Sequence, residues 1–306
     1  MAASPRAEAQ WAGPFARRKA GFGLVDALLL AAVVLALGWL GWRAATALQY
    51  RWDFGPVLGF VARHDAERGW VANLLLQGLM TTIRVSFWAA IVAAIIGTLM
   101  GVARTAPALF PRLVAGAYVE TIRNIPPLVF IFIFYFFVTS QLLPALGVED
   151  WIRRQDEGTL TVIAWAFGPP QHAAGVIAAI LCLGLFEGAY VAEIVRGGIQ
   201  SLPRGQWEGA SALGLSRART LRLVILPQAV ARVVPPLAGQ GISLVKDSSI
   251  ISLVSIQDLS FLGNEVAATT GRVFETWLLV AFFYFIVCAT LSAAAARLEH
   301  RFRQRN

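Results

Sequence analysis

The sequence predicts an all-α membrane protein of about six transmembrane helices, and three observations lead there. Hydrophobic residues make up 57% of the chain and charged residues only 14%. That is too few to clothe a soluble core, whereas a lipid-facing surface needs no charged shell. Six stretches are long and apolar enough to cross hydrocarbon, which takes ~20 residues of helix. Arginines gather on alternate connections between those stretches, the pattern that membrane topology imposes.

The elements follow in order. Ala27 to Trp42 is uncharged and extends to Leu48 if Arg43 snorkels to the interface. Arg17, Arg18 and Lys19 precede it as they would precede a signal peptide. The run is long for a signal's apolar region, however, and no small-residue cleavage site follows it. It reads as a helix at 27–48. Val85 to Ala103 is uncharged between Arg84 and Arg104, and Asn124 to Val148 between Arg123 and Glu149. Gly175 to Ile199 is apolar but carries Glu187 and Glu193. Gln228 to Ser255 is apolar but broken at Pro235-Pro236 and at Lys246-Asp247. Thr276 to Ala296 is uncharged between Glu275 and Arg297.

Six helices put both termini on one side. If that side is the cytoplasm, and Arg84 at a span edge and Lys246 within a span are left aside, seventeen Lys and Arg lie inside against seven outside, so the termini are expected inside. Two exterior connections stand out. Residues 49–72 are polar with Trp52 and Trp70 and read as an interfacial connector. Residues 141–174, with Trp151, Trp165 and Gly168-Pro169-Pro170, read either as a segment lying along the membrane surface or as a plain loop with interfacial tryptophans.

Several chemistries find no support. The two lysines, Lys19 and Lys246, lie outside any G-x-x-x-x-G-K-S/T loop, so the usual phosphate cradle is absent. His64, His172 and His300 lack metal-ligand spacing. Cys182 and Cys288 sit in apolar runs and imply no disulfide. No nucleophile elbow or catalytic carboxylate pair occurs, so no catalytic residue is assigned. The net charge of +8 comes without aromatic-interleaved basic patches, which argues against nucleic acid. Gly97/Gly101 and Gly184/Gly188 are spaced for close helix packing.

The connection between the fourth and fifth spans is the most informative. From Gly205 to Pro227 the pattern gives two short helices separated by Gly214-Leu215-Ser216. Gly214 supplies the left-handed residue ending the first, and Ser216 the N-cap of the second. Arg217, Arg219 and Arg222 then face polar surroundings, and Pro227 opens the next span, where its missing N–H costs little.

Glu208-Gly209-Ala210, three residues, Gly214, nine residues, then Val224 to Pro227 resembles the E-A-A-x3-G-x9-I-x-L-P loop of ABC importer permeases. Gly209 in place of alanine and Val224 in place of isoleucine are mild departures. Gln77 to Thr82, Arg123 to Leu128, Gly188 to Ile199 and Leu244 to Ile250 resemble the polar amino acid branch, a family of type I importers that includes histidine, glutamine and general amino acid permeases. The resemblance covers roughly Leu76 to Leu298.

It implies a MetI-like core of five helices plus the N-terminal helix. A cytoplasmic segment at 1–26 and the helix at 27–48 precede a periplasmic connector at 49–72. The permease domain at 73–298 carries its coupling loop at 200–227, and a cytoplasmic tail spans 299–306. The first short helix of the loop is then a coupling helix, with Gln206, Glu208, Ala210, Gly214, Leu226 and Pro227 as ATPase-coupling residues. The family further implies two ATP-binding subunits that hold ATP and Mg, with no cofactor in this chain. It also implies a second permease, the same or a related chain, and a periplasmic solute-binding protein. The site would be the bacterial inner membrane, with both termini cytoplasmic and an amino acid as cargo. The competing expectation, an ion-gradient-driven secondary amino acid carrier, predicts internal repeats, which are not visible, and leaves the loop unexplained.

Ionisable groups at membrane depth are functional candidates by default. Glu193 and Arg196, at i and i+3, read as a structural ion pair. Glu187, about 9 Å further along the helix axis, faces either a substrate cavity or a polar partner on another helix. Lys246, Asp247 and Ser248, after the proline break, suit an amino acid's two charges. The alternative is that Lys246 and Asp247 neutralise each other. Tyr190 completes the expected substrate path.

Overall fold

A computed structural model describes residues 23–47, 50–67 and 69–303. Residues 1–22, most of the expected N-terminal segment, and 304–306 of the expected tail lie outside the described residues. The described residues divide into two compact units, with the boundary between Trp52 and Asp53. In the first, α1 (Leu24–Ala47) is apolar on all sides, as a lipid-surrounded helix is.

The second unit opens with a short turn of helix, α2 (Gly55–Leu58), and an antiparallel hairpin, β1 (Ala62–Asp65) and β2 (Gly69–Ala72). Gly69 takes the positive φ, 68°, that the tight connection demands, and the His64 ring meets Trp70 edge-on across the register pair. Asn73 then caps α3 (Leu74–Ala103), accepting a hydrogen bond from Leu74 N–H. Its buried stripe, Leu75, Gly78, Thr82, Val85, Ala89, Ala93, Gly97 and Gly101, repeats every three or four residues.

That stripe packs on α9 (Pro170–Gln200), the central helix, whose apolar window is 67% buried. Small residues bring the two backbones together. A Cβ at Gly101 would stand 2.7 Å from the Ala192 carbonyl oxygen, and one at Gly184 2.6 Å from Val92 Cβ. The Gly-x-x-x-Gly spacings are therefore packing faces. Val85, Phe130, Ile131, Cys182, Leu183 and Phe186 fill the main core around this pair.

Four elements differ from the sequence expectation. First, α4 (Leu109–Asn124) is an amphipathic helix where only a connection was expected, and Ile125-Pro126 separates it from α5 (Pro127–Phe137). α5 continues through a π-helical turn, Val138–Leu142, into α6 (Leu143–Ala145). Second, 141–174 is not a plain loop. It contains α7 (Val148–Arg153) and α8 (Glu157–Phe167), and Trp88 Nε1–H donates to the Ala166 carbonyl at 3.1 Å. Asp156 caps α8, and the Thr159 hydroxyl and amide bonded to that carboxylate hold it below its usual range, outweighing slight desolvation.

Third, the chain is not broken at Pro235-Pro236. A π-helical turn, Leu221–Ile225, feeds α12 (Leu226–Asp247), which runs through both prolines. Breaking the helix at the prolines would free further N–H and carbonyl groups that lipid cannot satisfy, so the helix persists through both and neighbouring helices hold the segment. The irregularity comes later, as a 3-10 helix at Ser248–Val254 ending at Ser255 with φ 63°. Fourth, α13 (Leu259–Thr270) stands where an exterior connection was expected. Gly78 admits it, since a Cβ there would stand 2.8 Å from the Asp258 carbonyl oxygen. Asp258 caps it through the Phe261 N–H, and burial pushes that carboxyl up to about 6. α14 (Val273–Arg303) closes the fold. Six helical segments among the described residues are long and apolar enough to span a membrane.

Candidate functional site

Two constellations carry the chemistry. The first is the connection after α9. Its first helix, α10 (Arg204–Ala212), ends in a Schellman motif: Leu215 N–H donates to the Ala210 carbonyl at 3.1 Å and Gly214 N–H to Ser211 at 3.0 Å, with Gly214 at φ 73°. Only a residue at ease with positive φ permits both bonds. Ser216 stands at the start of α11 (Arg217–Thr220), but its hydroxyl makes no cap; only its carbonyl accepts, from Thr220 N–H at 2.8 Å. α11 does not end before the span. It runs through the π-helical turn into α12, so Leu226 and Pro227 continue a helix rather than open one.

This geometry sorts the coupling candidates. Ala210 is buried, anchoring α10, and the half-buried Trp207 lies under the Arg217 guanidinium at 5.6 Å. Gln206 accepts from Gln228 Nε2 at 3.0 Å, tying α10 to α12. Arg232 ties α12 instead to the end of α9, donating to the Ser201 carbonyl and, at 3.0 Å, to its hydroxyl. Glu208 is exposed and forms no ion pair among the described residues. Leu213, 82% exposed at the tip, was missed from sequence, where an apolar residue near a helix end looks unremarkable.

The second constellation surrounds α9. Glu193 is a hub rather than half of a pair. Arg196 Nη2 and Nε reach its Oε2 at 2.7 and 3.0 Å, Arg104 from the end of α3 bonds its Oε1, and Arg123 from α4 stands 3.7 Å away. Arg104 also approaches Glu120 at 3.6 Å. The contributions of Arg104 and Arg123 were not legible because they arrive from other helices. Their positions flanking apolar runs was the only signal.

Glu187 is fully buried. Its Oε2 accepts from Gln240 Nε2 at 2.6 Å, its Oε1 has no partner, and Asp247 stands within electrostatic reach. A polar partner on another helix is therefore present, and half of the carboxylate remains uncommitted. Tyr190 is half-buried, with the Arg123 guanidinium 5.5 Å from its ring centre. Lys246 is exposed and forms no ion pair with Asp247, against the mutual-neutralisation alternative. Adjacent residues of one helix point about 100° apart, which keeps the two side chains from meeting. The Ser248 hydroxyl is fully buried and closes on the Val245 carbonyl at 2.8 Å, so it is already bonded within its own helix.

The family described as binding-protein-dependent transport system inner membrane component matches residues 93–304. This chain belongs to that family. It is 34% identical to the glutamine transport system permease protein GlnP of Escherichia coli K12, over 75% of this chain and 93% of that one. It is likewise 34% identical to the probable glutamine ABC transporter permease protein GlnP of Bacillus subtilis strain 168, over 80% and 99%. Identity to the glutamate/aspartate import permease protein GltK of Escherichia coli O157:H7 is 31%, over 74% and 92%. Among solved structures, one of an amino acid ABC transporter with histidines superposes with a TM-score of 0.59 at 28% identity, covering 74% of this chain and 94% of that one. The inward-facing methionine transporter MetNI, at 19% identity and TM-score 0.54, shares the fold. The chain is thus a multi-pass membrane permease of the ABC importer type and not a secondary carrier.

Proposed function

We propose that the chain is the translocation subunit of an ATP-driven importer of polar amino acids, working with two ATP-binding subunits that hold ATP and Mg. A second permease, the same or a related chain, completes the pore, and a solute-binding protein delivers cargo from the periplasm of a bacterial inner membrane. Both termini face the cytoplasm.

The observation that carries this reading is α10: a short helix anchored by Ala210 and Trp207, tied to α12 through Gln206, and presenting Glu208 and Leu213 outward. A lever needs that arrangement, with one face fixed to the membrane helices and the other free for a partner. Closure of the ATP-binding subunits would move α10, and Gln228 would pass the motion to α12 through Gln206. Asp247, at the far end of α12, and Gln240 both neighbour Glu187, so the same helix also reaches the membrane-depth carboxylate. A buried carboxylate with one uncommitted oxygen suits a substrate ammonium.

Reconstitution tests this. Proteoliposomes holding the permease with its ATP-binding partner and binding protein should take up labelled glutamine when ATP is present, and not under a sodium or proton gradient alone. Gradient-driven uptake without ATP would overturn the reading.

A further inference from the structure

We infer that the chain carries a seat for an anionic phospholipid headgroup, in a cavity of about 550 Å³ between the α3–α4 turn and the α9–α10 turn. Arg104, Arg112, Arg204 and Arg217 line it. Arg104 is taken up by Glu193 and Glu120. The other three form no ion pair among the described residues, although Arg217 rests on Trp207 and touches the Thr105 carbonyl at 3.4 Å. Three uncompensated guanidinium groups around one cavity repel one another, and an anion there relieves the repulsion. Guanidinium forks suit phosphate oxygens in particular.

Two further observations select a lipid over a free anion. The cavity lies at the ends of α3 and α9, both long and apolar enough to span the membrane, which is the depth of headgroups. Beside it, α4 begins with Leu109, Phe110, Leu113 and Val114 exposed on one face, Phe110 by 78%, while Arg112 turns to the cavity. A phosphate in the cavity with acyl chains along that face satisfies both at once. This inference stands apart from the identity of the transported solute.

The test is native mass spectrometry of the full chain carrying dioleoyl phosphatidylglycerol or phosphatidylcholine, with affinities from lipid titration. Wild type should retain phosphatidylglycerol in preference. Each arginine near a headgroup is worth about fivefold in affinity, so Arg112→Gln/Arg204→Gln should lose about 25-fold. Arg222→Gln, an exposed arginine of the same connection outside the cavity, should change affinity less than twofold. If the double variant does not fold, Arg204→Gln alone should lose about fivefold, and Arg112→Lys/Arg204→Lys, which keeps the charges but not the forks, should lose less than the glutamine pair. Equal losses in Arg222→Gln, or none in either glutamine variant, overturn the seat. Displacement of the lipid by millimolar inorganic phosphate would make it a free-anion site instead. Lipid release on adding the ATP-binding subunit, with failure of the double variant to bind that subunit, would make the arginines a protein interface.

Discussion

Gly214 allows a quantitative test of α10 as a lever. At φ 73° an added Cβ meets nothing within 4 Å, so the first cost of substitution is conformational. An L-residue with a Cβ pays about 1–2 kcal/mol in the left-handed region, more if β-branched. The escape is to unravel the end of α10, losing the bonds from Leu215 to Ala210 and from Gly214 to Ser211, together worth about 1–3 kcal/mol. The two costs are comparable, so Gly214→Val should fray the tip carrying Leu213 in a large share of molecules. Asparagine tolerates this conformation, so Gly214→Asn should stay close to wild type. The assay is ATP hydrolysis by the reconstituted complex, with and without loaded binding protein. Valine should reduce stimulation about fivefold or more, asparagine less than twofold, with expression and insertion equal. Equal stimulation in both variants would refute the reasoning that a rigid α10 end transmits force.

Three other outcomes follow from the geometry. Gly184→Leu, whose Cβ would press on Val92, should lower thermal stability by several kcal/mol; Gly239→Leu, with open space around it, should not, and equal melting in detergent for the two would contradict the packing face. Glu187→Gln keeps size and can still pair with Gln240, so stability should hold while uptake falls or selectivity shifts; wild-type uptake and selectivity would place the cargo site elsewhere. External thiol reagents should label cysteines placed at Asp65 or Asp156 and spare one at Arg217; labelling at Arg217 would invert the topology.

Much of this was legible because membrane burial writes itself into composition. A helix that must satisfy its own backbone in lipid leaves a long uncharged run, and α1, α3, α5 and α14 were each found that way. The loop was legible because Gly214 and Pro227 are backbone-determined residues at fixed spacing. What was not legible depended on tertiary context. The amphipathic α4 and the short α13 lack the length that marks a span, and their apolar faces were masked by interspersed charge. Pro235-Pro236 looked like a break because propensity was learned in water, where freed carbonyls find other partners. The Glu193 hub needed Arg104 and Arg123 from helices about 70–90 positions earlier, which no local spacing reveals.

The central claim is that the outward face of α10 grips the ATP-binding subunit. Replacing Cys182 and Cys288 and placing a benzophenone on Leu213→Cys allows photocrosslinking within the assembled complex, with a probe on Arg153→Cys of α7 as the remote control. The account predicts an adduct of this chain with the ATP-binding subunit from position 213, none from position 153, and loss of both uptake and stimulated hydrolysis in the crosslinked fraction. Crosslinks from position 213 to lipid or to the permease alone, with the ATP-binding subunit present and hydrolysing, would contradict it.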